Sequence, residues 1–316
     1  MTAPLLLAVN SGGSKTDACI ARIDSNSEPV IIGRAQAAPT NLNMQGVEEV
    51  SSQLLVVIRK AMAETGQPDL RFERVIVALA GGGNPRQCQQ VEEKLACLQC
   101  DSIHVGCDAE FILAIAEALA PEDCAAVGII VGTGAVAFGR DPKSVEIRRA
   151  GGWGPVIGDD GSGFWIGRAA VRSILQMSDD QQPMPELASA FFDATGAMSA
   201  RDLVSKIHEC GQPATKLATM APLVIKAADE GDATAREILV EAAICIGLLI
   251  GQISDKLEQP PENTVVACGG SIVTKQTLLT ERVEELVRTN GTRELYFIED
   301  PVTAAIQLAA SSKFSL

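Results

Sequence analysis

The strongest constraint on the fold of this 316-residue chain is a pattern that occurs twice: two apolar strands joined by a short glycine-rich turn. The copies cover residues 5–23 and 125–139, and their turns lie at Gly12 and Gly132. Strands separated by so short a turn predict a β-hairpin. A hairpin of the same kind at the start of each half predicts two related α/β domains that face each other.

Apolar periodicity extends this prediction over the rest of the chain. In the first half it predicts strands at 30–33, 74–80 and 102–107 and helices at 47–65, 85–98 and 109–119. In the second half it predicts helices at 163–177, 185–192, 200–210, 214–230 and 233–257, and strands at 264–268 and 295–298. We expect a first domain at 1–120 and a helix-rich second domain at 121–316, whose last helix, 302–312, packs back on the first.

A second informative feature is the segment 151–167, which contains seven glycines, two adjacent aspartates and both tryptophans of the protein. Glycine serves where the backbone needs positive φ or must approach a ligand closely. An indole ring suits the apolar face of a sugar, and carboxylates accept hydrogen bonds from hydroxyl groups. A structural turn leading into the helix that starts near Phe164 is the alternative interpretation.

Composition excludes several classes of protein. The net charge of −14 argues against a nucleic-acid partner, whose phosphates would be repelled. No uninterrupted apolar run has the length of a membrane span, and the first residues read as a strand rather than a signal peptide. Nine cysteines, mostly in apolar segments, predict reduced, buried thiols in a cytoplasmic protein. The pair Cys97 and Cys100 has the spacing of a metal or redox motif, but no second such pair accompanies it.

The glycine turns favour phosphate binding of a particular kind. Clusters of backbone N–H groups in such turns can hold phosphate oxygens. The chain has neither the GxxxxGK[ST] pattern of P-loop NTPases nor a dinucleotide-binding GxGxxG at a strand–helix junction. Two phosphate-binding turns on two domains predict phosphoryl transfer, because that chemistry mainly requires positioned charge.

These segments resemble the N-acetylglucosamine kinase-like group of sugar kinases, which shares its signature with the BadF/BadG/BcrA/BcrD ATPase family. In chain order the similar segments are 10–16 (family DGGGTKT), Thr40-Asn41, Cys107-Asp108-Ala109 (family N-D-A), 132–135 (family GTGS), 151–163 (family GGWG…GDEGSG) and 268–270. The resemblance covers nearly the whole chain. It implies two ribonuclease-H-like domains of the actin–hexokinase–chaperone type, with nucleotide and sugar in the cleft, and is compatible with a homodimer.

The resemblance also implies a role for individual residues. Asp108 is implied to be the catalytic base that accepts the proton of the sugar 6-hydroxyl, and to contact Mg²⁺ together with Asn10, the latter through water. ATP phosphates would be bound by Gly12, Gly13, Ser14, Lys15, Thr16, Gly132, Thr133 and Gly134, and adenosine by Gly269 and Gly270. The sugar would be bound by Asn41, Asp108, Trp153, Gly154 and Asp159. Ordinary helix N-capping would also explain Asp108, and Lys15 could be a solvated loop residue.

Three positions depart from the family pattern, and they keep other functions open. Asn10 stands where the family has aspartate, Ala135 where it has serine, and Asp160 where it has glutamate. The first hypothesis is an ATP-dependent kinase for N-acetylglucosamine or glucosamine. The second is an activator ATPase of the CoA dehydratase or reductase type, which would carry an iron–sulfur cluster. The third, suggested by Asn10 and Ala135, is a sugar or nucleotide sensor that has lost turnover.

Overall fold

The computed structural model describes residues 4–13, 15–23, 28–67, 69–274 and 277–310. The chain divides into two compact units. One contains Met1–Pro121 together with Ile298–Leu316, and the other contains Glu122–Phe297. The chain therefore leaves the first unit once and returns to it for its last helix.

Strands and helices alternate first and helices dominate later. The described strands are β1 Leu5–Ser11, β2 Thr16–Arg22, β3 Val30–Ala37, β4 Phe72–Leu79, β5 Cys100–Cys107, β6 Ala125–Val131, β7 Ala135–Arg140, β8 Arg148–Gly151, β9 Thr264–Gly269 and β10 Glu294–Ile298. The described α-helices are α1 Leu42–Glu64, α2 Pro85–Leu95, α3 Asp108–Leu119, α4 Gly163–Asp179, α5 Glu186–Thr195, α6 Ala200–Glu209, α7 Pro213–Glu230, α8 Ala233–Ser254, α9 Leu278–Thr289 and α10 Pro301–Ala310.

The two units have sheets of the same strand order. The first sheet has the order β3-β2-β1-β4-β5, and the second has β8-β7-β6-β9-β10. In each sheet an antiparallel hairpin (β1–β2 or β6–β7) carries a third antiparallel strand on one side and a parallel strand on the other. The repeated hairpin seen in the sequence is thus the start of a repeated five-stranded sheet, and the predicted fold class is confirmed.

The first sheet is covered on both faces, which explains the continuous apolar runs in its central strands. Alternate residues of β1 point to opposite faces. Leu5, Leu7 and Val9 pack in the cluster that contains the buried side of α1 and α2. Leu6 and Ala8 pack against α10, through Val302 and Ile306. The last helix therefore completes the core of the first unit.

The second unit has one large core, to which the inward side chains of β6 and the helices α4 to α9 contribute. One of its helices, α8, is long and apolar enough to cross a membrane by length and composition alone. Its residues Ile238, Leu239, Ile246 and Ile250 are buried in this core. Their burial accounts for the apolar character of α8 as that of a core helix.

The structure corrects several details of the sequence prediction. Helix α1 starts at Leu42 rather than residue 47, with a kink at Gly46, where φ is +79°. The short strand β8 was not predicted, because its place is set by pairing with β7 rather than by an apolar pattern of its own. Five cysteines are buried, as predicted, but Cys97 and Cys210 are exposed and Cys100 and Cys245 are half-buried.

Candidate functional site

In the first unit, the predicted functional segments meet at one edge of the sheet. Ser11, Leu79 and Cys107 end the parallel strands β1, β4 and β5, and they are register partners in one row. Because neighbouring strands lie about 5 Å apart, the segments that follow these residues emerge side by side. They are the first glycine turn, the turn at Gly81 and the segment that begins with Asp108.

The first glycine turn is closed by a backbone hydrogen bond from Gly12 N to Lys15 O, 2.9 Å long. Gly13 and Lys15 are exposed, while Ser14 lies outside the described residues. The Lys15 ammonium is 3.2 Å from an oxygen of Asp17. Asn10 precedes the turn and is the register partner of Asp17. Lys15 therefore forms an ion pair with Asp17 at the turn, although its side chain is about half exposed.

Buried hydroxyl groups fasten the turn to the segment before α1. Ser11 Oγ donates to Thr40 O at 3.1 Å and also contacts Thr40 Oγ1. Thr16 Oγ1 donates to Ala38 O at 2.9 Å, so this hydroxyl group is used within the fold. All three side chains are buried. The hydroxyl groups fix the backbone that leads into Asn41.

Asn41 has a structural role in addition to any ligand contact. It is the N-cap of α1, and its Oδ1 accepts a hydrogen bond from Asn43 N at 3.0 Å. The next residue, Leu42, donates through its backbone to Ala80 O at 2.9 Å. A β-carbon at Gly81, where φ is +78°, would lie 2.5 Å from Asn41 Oδ1. Glycine at 81 is therefore required for this approach.

The glycines at 81–83 are part of the site, although the sequence analysis did not include them. A β-carbon at Gly82 would lie 3.2 Å from the Cα of Cys107, the residue before Asp108. The signal in the sequence was three consecutive glycines directly after a buried strand. Together they let the β4 edge approach both Asn41 and the start of α3.

Asp108 is the first residue of α3, and Cys107 is the N-cap, so the simple interpretation of Asp108 as the cap is wrong. Its Oδ1 accepts hydrogen bonds from Ala109 N at 3.0 Å and from the Cys107 thiol at 3.4 Å. Burial raises the pKa of Asp108 to about 6, although these two hydrogen bonds act to lower it. Burial raises the pKa of the Cys107 thiol as well, which keeps it protonated as a donor.

In the second unit, the turn 132–134 joins β6 to β7 and receives the start of α4. Gly132 N donates to Gly134 O at 2.9 Å within the turn. Gly163 N donates to Gly132 O at 2.8 Å, and Phe164 N donates to Thr133 O at 3.2 Å. The carbonyl groups of Gly132 and Thr133 are thus bound to the first residues of α4, which fixes the turn through its backbone.

Asp159 packs against this turn. It has a left-handed backbone, with φ at +60°, which is uncommon for a residue other than glycine. A β-carbon at Gly134 would lie 2.6 Å from Asp159 Oδ2. Burial raises the pKa of Asp159, while hydrogen bonds from the backbone N–H groups of Ala135 and Gly154 lower it. Asp159 therefore connects the second turn with the segment that carries Trp153.

The Trp153 side chain is 68% exposed, and the Arg149 guanidinium lies 5.2 Å from the centre of its ring. Arg149 also donates to the carbonyl oxygens of Gly151 and Gly152. Gly154 has a φ of +85°, so the chain turns sharply directly after the indole. This arginine was not predicted as part of the site; its only signal was proximity to the glycine segment.

Gly269 ends β9 and Gly270 follows it. A β-carbon at Gly270, where φ is +105°, would lie 2.3 Å from Val131 O, the last carbonyl of β6. Ile130 and Gly269 are register partners across the parallel pair β6–β9. The predicted residues thus form two groups, one at the edge of each sheet: Asn10, Gly12, Gly13, Lys15, Thr16, Asn41 and Asp108 in the first unit, and Gly132, Thr133, Gly134, Trp153, Gly154, Asp159, Gly269 and Gly270 in the second.

The chain is similar to known proteins over most of its length. An N-acetylmuramic acid/N-acetylglucosamine kinase of Clostridium acetobutylicum is 27% identical over 286 residues, which are 90% of each chain. An N-acetyl-D-glucosamine kinase of Dictyostelium discoideum is 26% identical over 99% of this chain and 100% of its own. The fold is similar to that of a structure assigned to N-acetylglucosamine kinase from Chromobacterium violaceum, with a TM-score of 0.75 at 22% identity over 98% of this chain and 99% of the other.

The family itself is decided by a match over most of the sequence. The model of the BadF/BadG/BcrA/BcrD ATPase family matches residues 7–307. This range includes both glycine turns, Asp108 and the whole 151–167 segment. The resemblance inferred from the motifs is thereby confirmed. The chain belongs to the BadF/BadG/BcrA/BcrD ATPase family.

Proposed function

We propose that this protein is an ATP-dependent kinase that phosphorylates the 6-hydroxyl group of an amino sugar, N-acetylglucosamine or glucosamine. The observation that carries the proposal is that the first glycine turn, the turn at Gly81 and Asp108 follow three adjacent parallel strands at the same edge of the first sheet. The two curated relatives that align over most of the chain are both described as N-acetylglucosamine kinases.

In this proposal Asp108 is the general base. A pKa of about 6 leaves the carboxyl group mostly ionised at neutral pH, yet more basic than an exposed aspartate. Its bonds to Cys107 and Ala109 are made by Oδ1, so we assign proton acceptance to Oδ2. The sugar O6 loses its proton to this oxygen and forms a bond to the γ-phosphorus. The bond from that phosphorus to the β–γ bridging oxygen breaks, and ADP leaves.

We assign the nucleotide phosphates to the two glycine turns. In the first turn, Gly13 and Lys15 would offer backbone N–H groups and Lys15 its ammonium, while Gly12 would contribute by closing the turn through its bond to Lys15 O. The Thr16 hydroxyl is bonded to Ala38 O, so Thr16 would contribute through its backbone. In the second, Gly132, Thr133 and Gly134 would act through the backbone. We assign adenosine to Gly269 and Gly270.

The donor set at the first sheet edge fits a Mg²⁺ ion carried by the nucleotide. The described residues contain no group of three or more His, Cys, Asp or Glu side chains that could hold a metal ion by themselves. Mg²⁺ in kinases needs only one or two protein oxygens in addition to phosphates and water. Asp108 and Asn10 would supply these oxygens through bound water, which would leave Asp108 Oδ2 able to accept the sugar proton. When bound, the ion would neutralise part of the phosphate charge.

We assign the sugar to Asn41, Asp108, Trp153, Gly154 and Asp159. Asn41 Oδ1 is engaged by Asn43 N, so its Nδ2 group is the one for a sugar hydroxyl. The exposed Trp153 ring offers an apolar face to the pyranose. Asp159 already accepts hydrogen bonds from two backbone amides, which fix the position of its carboxylate as an acceptor for a sugar hydroxyl.

The test is a coupled ADP-release assay with ATP and Mg²⁺ over a panel of hexoses and amino sugars, with product analysis by NMR to locate the new phosphate. We expect turnover that depends on an amino sugar and gives the 6-phosphate. Asp101→Asn is a matched control, because Asp101 is an exposed aspartate of the same strand β5. Loss of ADP release in Asp108→Asn but not in this control supports the proposal; turnover without any sugar contradicts it.

A sensor without turnover is the second candidate, because Asn10 and Ala135 replace residues that the family uses near the phosphates. Binding of sugar and ATP with no phosphate transfer under any divalent metal would select it. An activator ATPase is tested by the same preparation, since it would contain iron. We place the kinase in the cytoplasm, where ATP is available, and light scattering would test the homodimer.

A further inference from the structure

A nearly buried carboxylate lies beside the first glycine turn and has no part in the proposed phosphoryl transfer. Asp17, in β2, is 3% exposed. Its Oδ1 accepts a hydrogen bond from Arg34 Nε at 3.0 Å. Its Oδ2 accepts three more, from Arg34 Nη2 at 2.8 Å, Gln36 Nε2 at 2.9 Å and Lys15 Nζ at 3.2 Å. The Asp17 carboxylate thus binds one side chain from the turn, Lys15, and two from β3, Arg34 and Gln36.

The sheet register brings these groups together. Asp17 is the register partner of Gln36, and Cys19, two residues along β2, is the partner of Arg34. Because residues two apart share a face of the sheet, the Asp17, Arg34 and Gln36 side chains lie on the same side. Arg34 reaches Asp17 diagonally and donates from Nε and Nη2 to the two carboxylate oxygens, the geometry that a guanidinium favours.

The third guanidinium nitrogen of Arg34 is bonded at the start of the last helix. Arg34 Nη1 donates to Asp300 Oδ2 at 2.7 Å. Asp300 in turn accepts from Thr303 N at 3.1 Å and from Thr303 Oγ1 at 2.8 Å, at the start of α10. Arg34 is therefore held at both ends, by a buried carboxylate in the sheet and by a carboxylate at the start of a helix.

The four bonds to Asp17 are unequal. Those from Arg34 form a rigid fork, and that from Gln36 comes from the neighbouring strand. The bond from Lys15 is the longest and belongs to a flexible side chain that is about half exposed. Because Arg34 and Gln36 already donate hydrogen bonds to the Asp17 carboxylate, Asp17 binds the Lys15 ammonium only weakly. Without Arg34 and Gln36, Asp17 would bind this ammonium strongly, because a buried charge requires partners.

We propose that Asp17, Arg34 and Gln36 are positioning residues for the nucleotide. They keep the Lys15 ammonium near the first glycine turn through an ion pair weak enough to be exchanged for contact with a nucleotide phosphate. Asp300 completes the arrangement by fixing Arg34. The inference rests on the proposed function, because it takes the ligand of Lys15 to be the polyphosphate of a nucleotide. It adds to that function a network that no motif of the chain indicated.

The test is a double-mutant cycle on nucleotide affinity, measured by calorimetry with Mg²⁺ and a non-hydrolysable ATP analogue. Arg34→Lys retains the charge but not the fork, and we expect it to weaken binding by about tenfold, the lower end for one charge-assisted hydrogen bond. Gln36→Met changes no charge, and we expect a loss of about twofold, since it removes one hydrogen bond from an uncharged, exposed donor. In a Lys15→Met background both effects should vanish.

Several results would overturn the inference. If Arg34→Lys weakens binding equally with and without Lys15, Arg34 acts on the phosphate directly or on the fold. If neither Arg34→Lys nor Gln36→Met changes the affinity, Asp17 has only a structural role. If the same variants lose as much affinity for adenosine as for the ATP analogue, the substitutions disturb the fold in general rather than the phosphate site. Gln36 is exposed, so its variant keeps the test valid if Arg34→Lys fails to fold.

Kinetics separate this inference from the proposed function. At saturating ATP the variants should retain kcat within about twofold while KM for ATP rises, the signature of lost binding rather than lost chemistry. Arg71→Gln is the matched control, because Arg71 pairs with an exposed aspartate at the far end of β5. Sugar-dependent turnover with unchanged ATP affinity in Lys15→Met would overturn the inference alone; a wild type that binds no nucleotide would overturn both.

Discussion

The two sheets have the same strand order, yet the aspartates that follow their fifth strands have opposite electrostatic surroundings. Asp108 follows β5 and opens α3, and Asp300 follows β10 and precedes α10. Burial raises the pKa of Asp108 to about 6. Burial acts on Asp300 in the same direction, but hydrogen bonds from Arg34 and Thr303 outweigh it and lower its pKa. Comparable places in a repeated topology thus give a carboxyl group of raised pKa at Asp108 and one of lowered pKa at Asp300, depending on whether a cation lies beside it.

The glycine turns of the two units differ in a related way. The first turn is surrounded by side chains, with hydroxyl groups from Ser11, Thr16 and Thr40 and an ammonium held by Asp17. The second is fixed by backbone bonds to the start of α4 and by Asp159. Substitutions at the first turn should therefore change ligand binding, while those at the second should change the fold.

The largest expected effect is on catalysis by the two aspartates. Asp108→Asn removes the proposed base, and kcat should fall about 100-fold or more, the scale of general-base loss. Asp300→Asn should leave kcat within about twofold, because Asp300 contacts only Arg34 and the start of α10 among the described residues. In the wild type, kcat/KM should decline as the pH falls through about 6, where Asp108 takes up a proton. Steady-state kinetics from pH 5 to 9 measure all three, and full activity of Asp108→Asn would remove it from the mechanism.

The next largest effect concerns the glycines. Gly270→Ala should destabilise the protein by about 3 kcal/mol, because the new β-carbon would lie 2.3 Å from Val131 O at a left-handed φ. Gly12→Ala meets nothing closer than Lys15 O at 3.6 Å, and its cost should be below about 1 kcal/mol. Urea unfolding followed by circular dichroism compares the two. Equal stabilities would contradict the assignment of Gly270, against the end of β6, as the structurally constrained glycine.

A smaller effect is expected on the free energy of unfolding, and its sign should differ between Asp108→Asn and Asp300→Asn. The folded-state pKa of Asp108 is raised, so its ionised form costs free energy above about pH 6 and nothing below its unfolded value of 3.8. Asp108→Asn should therefore stabilise the protein by about 2 kcal/mol at pH 8, with the gain lost between pH 6 and 4.

Asp300 should behave in the other way. Its pKa is lowered, so its contribution is present above the unfolded value and is lost as the pH falls through the folded one. Asp300→Asn should destabilise the protein by less than about 1 kcal/mol at pH 8, because this ion pair is partly exposed. Thermal unfolding of both variants at pH 8 and pH 4 is the measurement. Shifts of the same sign at pH 8 would contradict the comparison.

The smallest effect is expected at Asn10, the register partner of Asp17. Asn10→Asp places two carboxylates opposite each other, which should cost about 0.5 kcal/mol without ligand. The same change restores the family residue and should lower the Mg²⁺ concentration needed for turnover. Thermal unfolding without metal and a Mg²⁺ titration of activity test the two parts. A stability loss that persists in an Asp17→Asn background would show another cause.

Much of the fold could be predicted from residue patterns because each signal is local. Alternating and continuous apolar runs predicted nine of the ten described strands, and the glycine turns marked both hairpins. The strand β8 was missed because four residues with two arginines carry no apolar pattern. The start of α1 was missed because Gly46 interrupts the helical geometry, while the true cap, Asn41, lies earlier.

The glycine segments, the order of the motifs and the family were determined by the sequence alone, since they depend on residue types at fixed spacing. Only the tertiary structure decided which charges meet. Asp17, Arg34 and Asp300 are separated by up to 283 positions in the numbering of the chain, and strand register with the return of α10 brings them together. The electrostatic difference between Asp108 and Asp300 has the same origin, because a pKa depends on burial and on neighbours that are distant in the chain.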